Sequence, residues 1–148
     1  MAHYEYPRPA LTTDVALFAG PADDPLVLLV RRAYPPFTGM WALPGGFVDQ
    51  GEYVEAAARR ELAEETGIVY ADPLIQAGGY GDPGRDPRGW TVTILWTAYV
   101  GDEPLGVTAG DDAAATTWLR VSALTELAFD HRQLVADALE ELRLRGTL

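Results

Sequence analysis

The chain is predicted to be an α/β protein of the α+β kind, with a central mixed sheet and a helix on either side. Three observations predict this. Several segments alternate apolar and polar residues with the period of two that a strand with unlike faces requires. Two others, residues 53–66 and 130–145, repeat apolar residues at the spacing of a helix. At 148 residues and 48% hydrophobic content, the chain is long and apolar enough for one buried core, so a single domain over residues 1–148 is expected.

Taken in order, Leu11 to Ala19 (LTTDVALFA) and Leu26 to Arg32 (LVLLVRR) read as strands, joined by a turn over Gly20 to Pro25. A Pro/Gly-rich loop, AYPPFTGMWALPGG, leads into a short strand near Gly46 to Val48. Tyr53 to Thr66 contains neither Pro nor Gly and many good helix formers, and Gly67 supplies a stop. Leu74 to Gly79 reads as a strand. Trp90 to Val100 (WTVTILWTAYV) is the clearest one: Trp90, Val92, Ile94, Trp96, Ala98 and Val100 share a face, and Thr91, Thr93, Leu95, Thr97 and Tyr99 share the other. Ala114 to Val121 is a further strand, with a short helix over Ser122 to Leu127. In the last helix Asp130 is the expected cap, with Gln133 completing a capping box. Leu134, Val135, Ala138, Leu139 and Leu142 form its buried stripe, and Gly146 ends it.

The central helix carries the chemistry. Val54, Ala57, Ala58, Glu61 and Glu65 fall on one stripe, with Leu62 and Glu64 flanking it. The stripe begins small and apolar, as if packed on the sheet, and then turns acidic. A solvated glutamate run would face outward instead. Glu61, Glu64 and Glu65, clustered within about one turn, repel one another unless a cation lies between them. Oxygen-rich clusters of this kind suit hard ions such as Mg²⁺ and Mn²⁺. Arg60, four residues before Glu64, is placed to pair with it, whereas Arg59 and Glu55 form an exposed pair with no functional weight.

Residues 46–68, GFVDQGEYVEAAARRELAEETGI, combine these features at fixed spacing: Gly46, Glu52, Arg60-Glu61-Leu62, Glu64-Glu65 and Gly67-Ile68. All nine positions match the box of the Nudix hydrolases, and the chain resembles that family. A chance match has odds on the order of one in 10^8. The resemblance implies an α/β/α sandwich. It also implies hydrolysis of a nucleoside diphosphate linked to another group, with Mg²⁺ or Mn²⁺ as cofactor. Glu61, Glu64 and Glu65 would hold the metal, with the carbonyl of Gly46. Arg60 would orient the glutamates, and Glu64 is the first candidate for general base. Glu52 would support the loop-helix geometry or an outer metal. Relatives differ over the base, so Asp86, Asp111 and Asp112 stay open.

Outside the box, Gly78 to Trp90 (GGYGDPGRDPRGW) holds five glycines, two prolines, two aspartates and two arginines. A flexible hairpin tip is the plain reading. Arg85 and Arg88, however, are the only basic pair close to the expected phosphate site, and guanidinium forks bind phosphate oxygens bidentately. Phe37 and Trp41, with Tyr34, flank Pro35-Pro36 and are placed either to stack on a purine or to fill core. Gly110-Asp111-Asp112 is either a solvated turn or a source of a further carboxylate.

Three segments, WALPGGFVDQGE, GDPGRDPRG and FDHRQLVADALEELRLR, are together similar to the ADP-ribose pyrophosphatase-like branch, which includes the Nudix domain of NrtR-type regulators. Tyr6, Arg8-Pro9 and Leu11-Thr12-Thr13-Asp14 match that branch's N-terminus. The resemblance implies ADP-ribose as substrate, with AMP and ribose 5-phosphate as products. The regulators add a winged-helix domain and often have degraded boxes; this chain ends at Leu148 and its box is intact, so an enzyme is expected. The alternatives are an oxidised nucleoside triphosphate pyrophosphatase of MutT type, a broad nucleoside-diphosphate-sugar hydrolase, and a domain that senses ADP-ribose without cleaving it.

Composition removes other classes. With no cysteine, the chain has no disulfides, thiolate zinc sites or cysteine nucleophile, and with only two histidines, His3 and His131, a histidine metal site is not expected. A net charge of −11 repels nucleic acid polymers, whereas a small phosphorylated substrate can bind with metal. No apolar signal core or membrane span is found, and a soluble, cytoplasmic protein is expected. A homodimer is expected too, through an exchanged arm over Tyr4 to Pro9 and the apolar area of Trp96 and Trp118.

Overall fold

The structure, a computed structural model, describes residues 3–110 and 113–148. Seven strands form one mixed sheet: β1 (Ala10–Ala19), β2 (Leu26–Arg32), β3 (Trp41–Ala42), β4 (Gly45–Phe47), β5 (Ile75–Tyr80), β6 (Thr91–Tyr99) and β7 (Ala113–Arg120). The helices are α1 (Val54–Thr66) and α2 (His131–Leu144). Among the described residues no helix is long and apolar enough to cross a membrane.

The sheet splits, and the split creates the site. On one edge β1 runs parallel to β6 along almost its whole length, from Ala10↔Thr91 to Phe18↔Tyr99. On its other edge β1 has two successive antiparallel partners. Its end pairs with β2 at Phe18↔Val27 and Ala19↔Leu26. Its start pairs with β4 at Thr12↔Phe47, Thr13↔Gly46 and Asp14↔Gly45. β2 therefore diverges from β1 and continues against β7 and β3. A wedge opens between the start of β1, β4 and the end of β2 at Arg32.

Alternation along the strands builds two core layers. Val15, Leu17, Leu28 and Trp96 face α1 and meet Ala58 and Leu62. Ala16, Phe18, Val27, Leu29 and Leu95 face α2 and meet Leu134, Val135, Ala138, Leu139 and Leu142. The stripe expected for α2 is buried as predicted, and the two expected faces of β6 divide between the layers. The last turn of α1 is strapped by the loop before β7: Thr108 N–H donates to Thr66 O at 2.8 Å and Gly110 N–H to Glu65 O at 3.1 Å. A Cβ on Gly110 would lie 1.8 Å from Glu64 O, so only glycine permits this approach.

Several details differ from expectation. β5 matches the strand expected over Leu74 to Gly79 but extends to Tyr80, inside the segment also read as a loop; a register shift between Gln76 and Gly78 accommodates the glycines. The helix expected over Ser122 to Leu127 is a single 3-10 turn, Val121–Ala123. Leu124 is extended, and Leu124 and Leu127 are buried against α2. Asp130 precedes α2 but makes no side-chain cap bond. Its carboxylate is taken by Arg85, and Gln133 bonds Asp137 instead. β3 was not foreseen, because two residues cannot show a period. Trp96 is only 8% exposed, and Trp118 is half-buried with its Nε1–H on Leu105 O at 2.9 Å. Neither supplies the surplus apolar surface on which a dimer was expected. Arg59 does pair with Glu55, but it also donates to the carbonyls of Tyr70 and Asp72, so it ties α1 to the following loop.

Candidate active site

The wedge holds two adjoining cavities separated by the Gly45–Phe47 strand. The cavity on the α1 side, of about 300 Å³, is bounded by Glu61, Glu65, Asp49 and the segment Arg31–Tyr34. The inner one, of about 100 Å³, is bounded by Asp14, Arg85, Asp86, Arg88, Phe129 and His131. Arg32 and Glu65 line both.

Backbone at Gly45 and Gly46 is held so tightly that no side chain fits. A Cβ on Gly45 would lie 2.2 Å from Thr13 O and 2.4 Å from Asp14 Oδ1, and one on Gly46 would lie 2.6 Å from Glu61 Oε1. The carboxylates of α1 therefore come right up to this strand. Gly45 N–H donates to Glu65 Oε1 at 2.8 Å. Burial is the main reason that the Glu65 carboxyl is pushed up to about 8; the Gly45 bond opposes this, and Glu61 and Asp14 add to it.

Arg60 organises the rest of the acidic set. Its Nε and Nη2 fork onto Glu52 at 2.8 and 3.0 Å, its Nη1 reaches Glu61 at 2.8 Å and Glu64 at 3.3 Å, and Nη2 also donates to Phe47 O at 3.1 Å. This fork, aided by the Asp49 amide, holds the Glu52 carboxyl down to about 2. Glu61 and Glu52 are largely covered, whereas the Glu64 side chain is 57% exposed.

The inner cavity is built from paired charges and aromatic rings. Arg85 forks onto Asp130 at 2.9 and 2.7 Å. Arg88 grips buried Asp86 through Nε and Nη2 and also through its backbone N–H at 2.9 Å. Burial works to raise Asp86, but the bonds from Arg88 hold it below the ordinary carboxylate value. The Arg88 guanidinium lies over Phe47 at 4.9 Å and Phe129 at 5.3 Å, and that of Arg32 lies 5.0 Å from Phe129. Deeper, Asp14 Oδ2 accepts from Thr93 Oγ1 at 2.6 Å. His131 Nδ1 accepts the Leu43 N–H at 2.9 Å, so its other nitrogen carries the proton and faces Asp14 Oδ1 at 3.6 Å. Burial lowers the His131 pKa and keeps the ring neutral.

The family model of the NUDIX domain matches residues 9–138. The chain belongs to the Nudix family. It is 39% identical over 135 residues to an ADP-ribose pyrophosphatase of Methanocaldococcus jannaschii, covering 89% of this chain and 74% of that protein. It is 37% identical to the ADPR responsive transcriptional repressor NtrR of Acinetobacter baylyi, where the match covers 93% of this chain but only 56% of the repressor. Among solved structures, the NUDIX domain of Shewanella oneidensis NrtR complexed with ADP ribose superposes with a TM-score of 0.84 at 35% identity, covering 93% of this chain and 90% of that one.

Within this Nudix fold the predicted residues are distributed as follows. Gly46, Glu61 and Glu65 come together, and Arg60 ties Glu61 and Glu64 as expected and Glu52 besides. The three glutamates do not form one cage. Among the described residues no three Asp, Glu or His side chains gather as a closed cation site, and Glu64 turns outward. Nudix hydrolases generally use divalent cations, and the residues present fit one. A partly buried carboxylate bonded to a backbone amide and a second carboxylate close against Gly46 supply oxygen donors on the wall of an open cavity. Magnesium-like ions favour such a set, because they keep waters and take substrate phosphates as ligands.

The remaining predicted residues differ in their fates. Arg85, Arg88 and Asp86 do line the inner cavity, but each is already in an ion pair, and Asp86 is committed to Arg88. Phe37 stacks edge-on against Phe129 at 4.9 Å. Trp41 packs against the α2-side core, so it fills core rather than presenting a ring for stacking. Asp111 and Asp112 lie outside the described residues. Arg32, Asp14, Phe47, Phe129 and His131 were missed as site residues. Arg85 and Arg88 are thus not the only basic residues near the site, since Arg32 lies between the two cavities. Asp14 and His131 stand in the N-terminal and FDHRQ segments that resemble the ADP-ribose branch, so a signal for them existed. Arg32 gave none, because it reads as the last residue of a strand.

Proposed function

We propose that this protein is a pyrophosphohydrolase that cleaves ADP-ribose to AMP and ribose 5-phosphate, with Mg²⁺ or Mn²⁺ as cofactor. The observation that carries this reading is the partly buried Glu65 carboxylate beside Glu61 and the Gly45–Gly46 backbone, opening directly onto an arginine-lined cavity. The ADP-ribose pyrophosphatase relative supports the choice of substrate. In this reading Glu61, Glu64, Glu65 and the Gly46 carbonyl would hold the cation. Once bound, it would offset the charge of the diphosphate and make water more acidic. Arg60 holds Glu61 and Glu64 in place, and Glu52 in turn fixes Arg60. Glu64, exposed and only weakly held, takes the proton as water attacks one phosphorus. The bridging P–O bond breaks, and the leaving phosphate keeps the bridging oxygen. Arg88 and Arg85 meet the charge that develops there. Asp86 fits a base poorly, since Arg88 engages both its oxygens, and its role is to hold Arg88.

The protein is read as a single-domain, cytoplasmic enzyme acting on a small nucleotide, not on a nucleic acid polymer or at a membrane, and as a homodimer. The relationship to the repressor favours a second reading, a domain that binds ADP-ribose without turnover. One assay separates the two. Incubation of the protein with ADP-ribose and Mg²⁺ or Mn²⁺ should release AMP catalytically. Binding without AMP release would establish the sensing reading, and faster cleavage of oxidised nucleoside triphosphates would establish the MutT-type alternative.

A further inference from the structure

The corner Phe129–Asp130–His131, where the chain turns into α2, supplies three neighbouring contacts to the inner cavity. Phe129 adopts a φ of 54°, in the left-handed region that residues with a Cβ rarely enter. Its ring lies against the Arg32 and Arg88 guanidiniums. Asp130 grips Arg85. His131, 88 residues from Leu43 in sequence, accepts the Leu43 N–H at 2.9 Å.

Leu43 is separated from Gly45 by Pro44 alone, and Gly45 N–H is held by Glu65. The three-residue segment is thus gripped at one end from α2 and at the other from α1. In between, Pro44 O accepts from Val15 N–H at 2.9 Å. The contacts of Gly45 with Thr13 and Asp14 and of Gly46 with Glu61 leave it no slack.

We propose that His131 is a positioning residue. Its Nδ1 sets the place of the Leu43–Gly46 segment between the two helices, and so brings the Gly46 carbonyl and Glu65 into register for a divalent cation. The residue type suits the task. The acceptor must be uncharged, because Asp14 and Glu65 line the same cavity, and a neutral imidazole supplies one. At 3.6 Å the Asp14 contact is beyond direct hydrogen-bond range, which leaves the Leu43 bond as the one that fixes the ring. The inference rests on Glu65 and Gly46 being the metal side of the site.

The test compares Mn²⁺ binding, read by electron paramagnetic resonance, in wild type, His131→Asn and His131→Gln. Asparagine keeps an acceptor near the place of Nδ1, whereas glutamine reaches instead toward the place of Nε2. Loss of an outer partner of a metal site weakens affinity by about 10–100-fold. A loss of at least about tenfold in His131→Gln is therefore expected, with His131→Asn within roughly threefold of wild type. Turnover of ADP-ribose should follow the same order, with KM little changed. Equal affinity in both variants, or equal loss in both, would overturn the proposal. A measurement on the wild type stands independently of variant folding. Mg²⁺ should shift the Leu43 amide and the His131 nitrogens in ¹⁵N spectra, where His3 is the only other histidine. An unshifted Leu43 amide in a protein that does bind Mg²⁺ overturns the inference and leaves the metal reading intact. Absence of any Mn²⁺ or Mg²⁺ binding by wild type overturns both.

Discussion

Glu65 is the residue at which structure and chemistry pull in opposite directions. Its carboxyl is pushed up to about 8, mainly by burial, while an unfolded chain leaves a glutamate near its ordinary value. Between those two values the folded metal-free protein binds a proton that the unfolded chain does not. Stability should therefore fall as pH rises from about 4.5 toward 8, with the penalty complete above that range. Thermal unfolding of metal-free protein should show this decline, and Glu65→Gln should flatten it; parallel profiles for the two proteins would show that Glu65 is not the source. A divalent cation should restore more stability at pH 8 than at pH 5, since it favours the ionised form. Glu64 is the opposite case. It is mostly solvent-exposed and, among the described residues, its carboxylate is held by a 3.3 Å contact to Arg60. Glu64→Gln should lower turnover by at least about 100-fold and leave the unfolding midpoint nearly unchanged. Near-normal turnover with Mg²⁺ would remove Glu64 from the mechanism.

At the scale of elements, the helix that bears the glutamates is set by contacts on three sides. Ala57, Ala58 and Leu62 bury its apolar stripe, Gly45–Gly46 meets its acidic turn, and the 106–110 loop straps its last carbonyls. The stripe and the glycine stop were legible, because helical periodicity and a left-handed Gly67 leave a local signature. The strap was not, because it pairs Thr66 with Thr108 and Glu65 with Gly110, and no local pattern links positions so far apart. For the same reason Asp130 read as a helix cap, when its carboxylate is spent on Arg85 across the fold. The segment between β5 and β6 now carries a sharper prediction. The Arg85 side chain is 6% exposed and that of Arg88 39%. Each should raise KM for ADP-ribose by roughly tenfold or more when cut to alanine, as a charge-assisted contact contributes about 1.5–3 kcal/mol. Both should also lower stability, Arg85→Ala because it strips buried packing and leaves Asp130 unpaired, and Arg88→Ala because it leaves buried Asp86 unpaired. Both should affect a nucleoside triphosphate less than ADP-ribose, because its extra phosphate can recruit metal instead. Unchanged KM and kcat in both variants would return the loop to a plain hairpin tip.

For the molecule as a whole, the open matter is how it assembles. Trp96 is enclosed, and Trp118 is half-covered and bonded to Leu105, so neither offers a large free apolar face. The apolar surface lies elsewhere. Tyr4, Tyr6, Leu11 and Trp90 are 52%, 73%, 37% and 55% exposed. Leu11 and Trp90 sit at the paired starts of β1 and β6, where Ala10 N–H donates to Trp90 O at 2.9 Å. Tyr4 lies under Arg8 at 3.8 Å in the segment that leads into β1. Exposed aromatic side chains concentrated at one end of a sheet favour association, and an extended arm beside them can reach a second copy. The net charge of −11 opposes this, because two such molecules repel one another. Salt screens that repulsion over about 10 Å at 0.1 M and does not weaken apolar contact. A homodimer is therefore expected that tightens as salt is raised, the reverse of an interface built on ion pairs. Light scattering at tens of micromolar protein should show the dimer mass. Tyr6→Ser combined with Trp90→Ser should shift it to monomer and leave ADP-ribose turnover per site intact, as neither residue lines the cavities. A monomer at every salt concentration would sink the expectation, and a dimer that dissociates on adding salt would place the interface on charged surface instead.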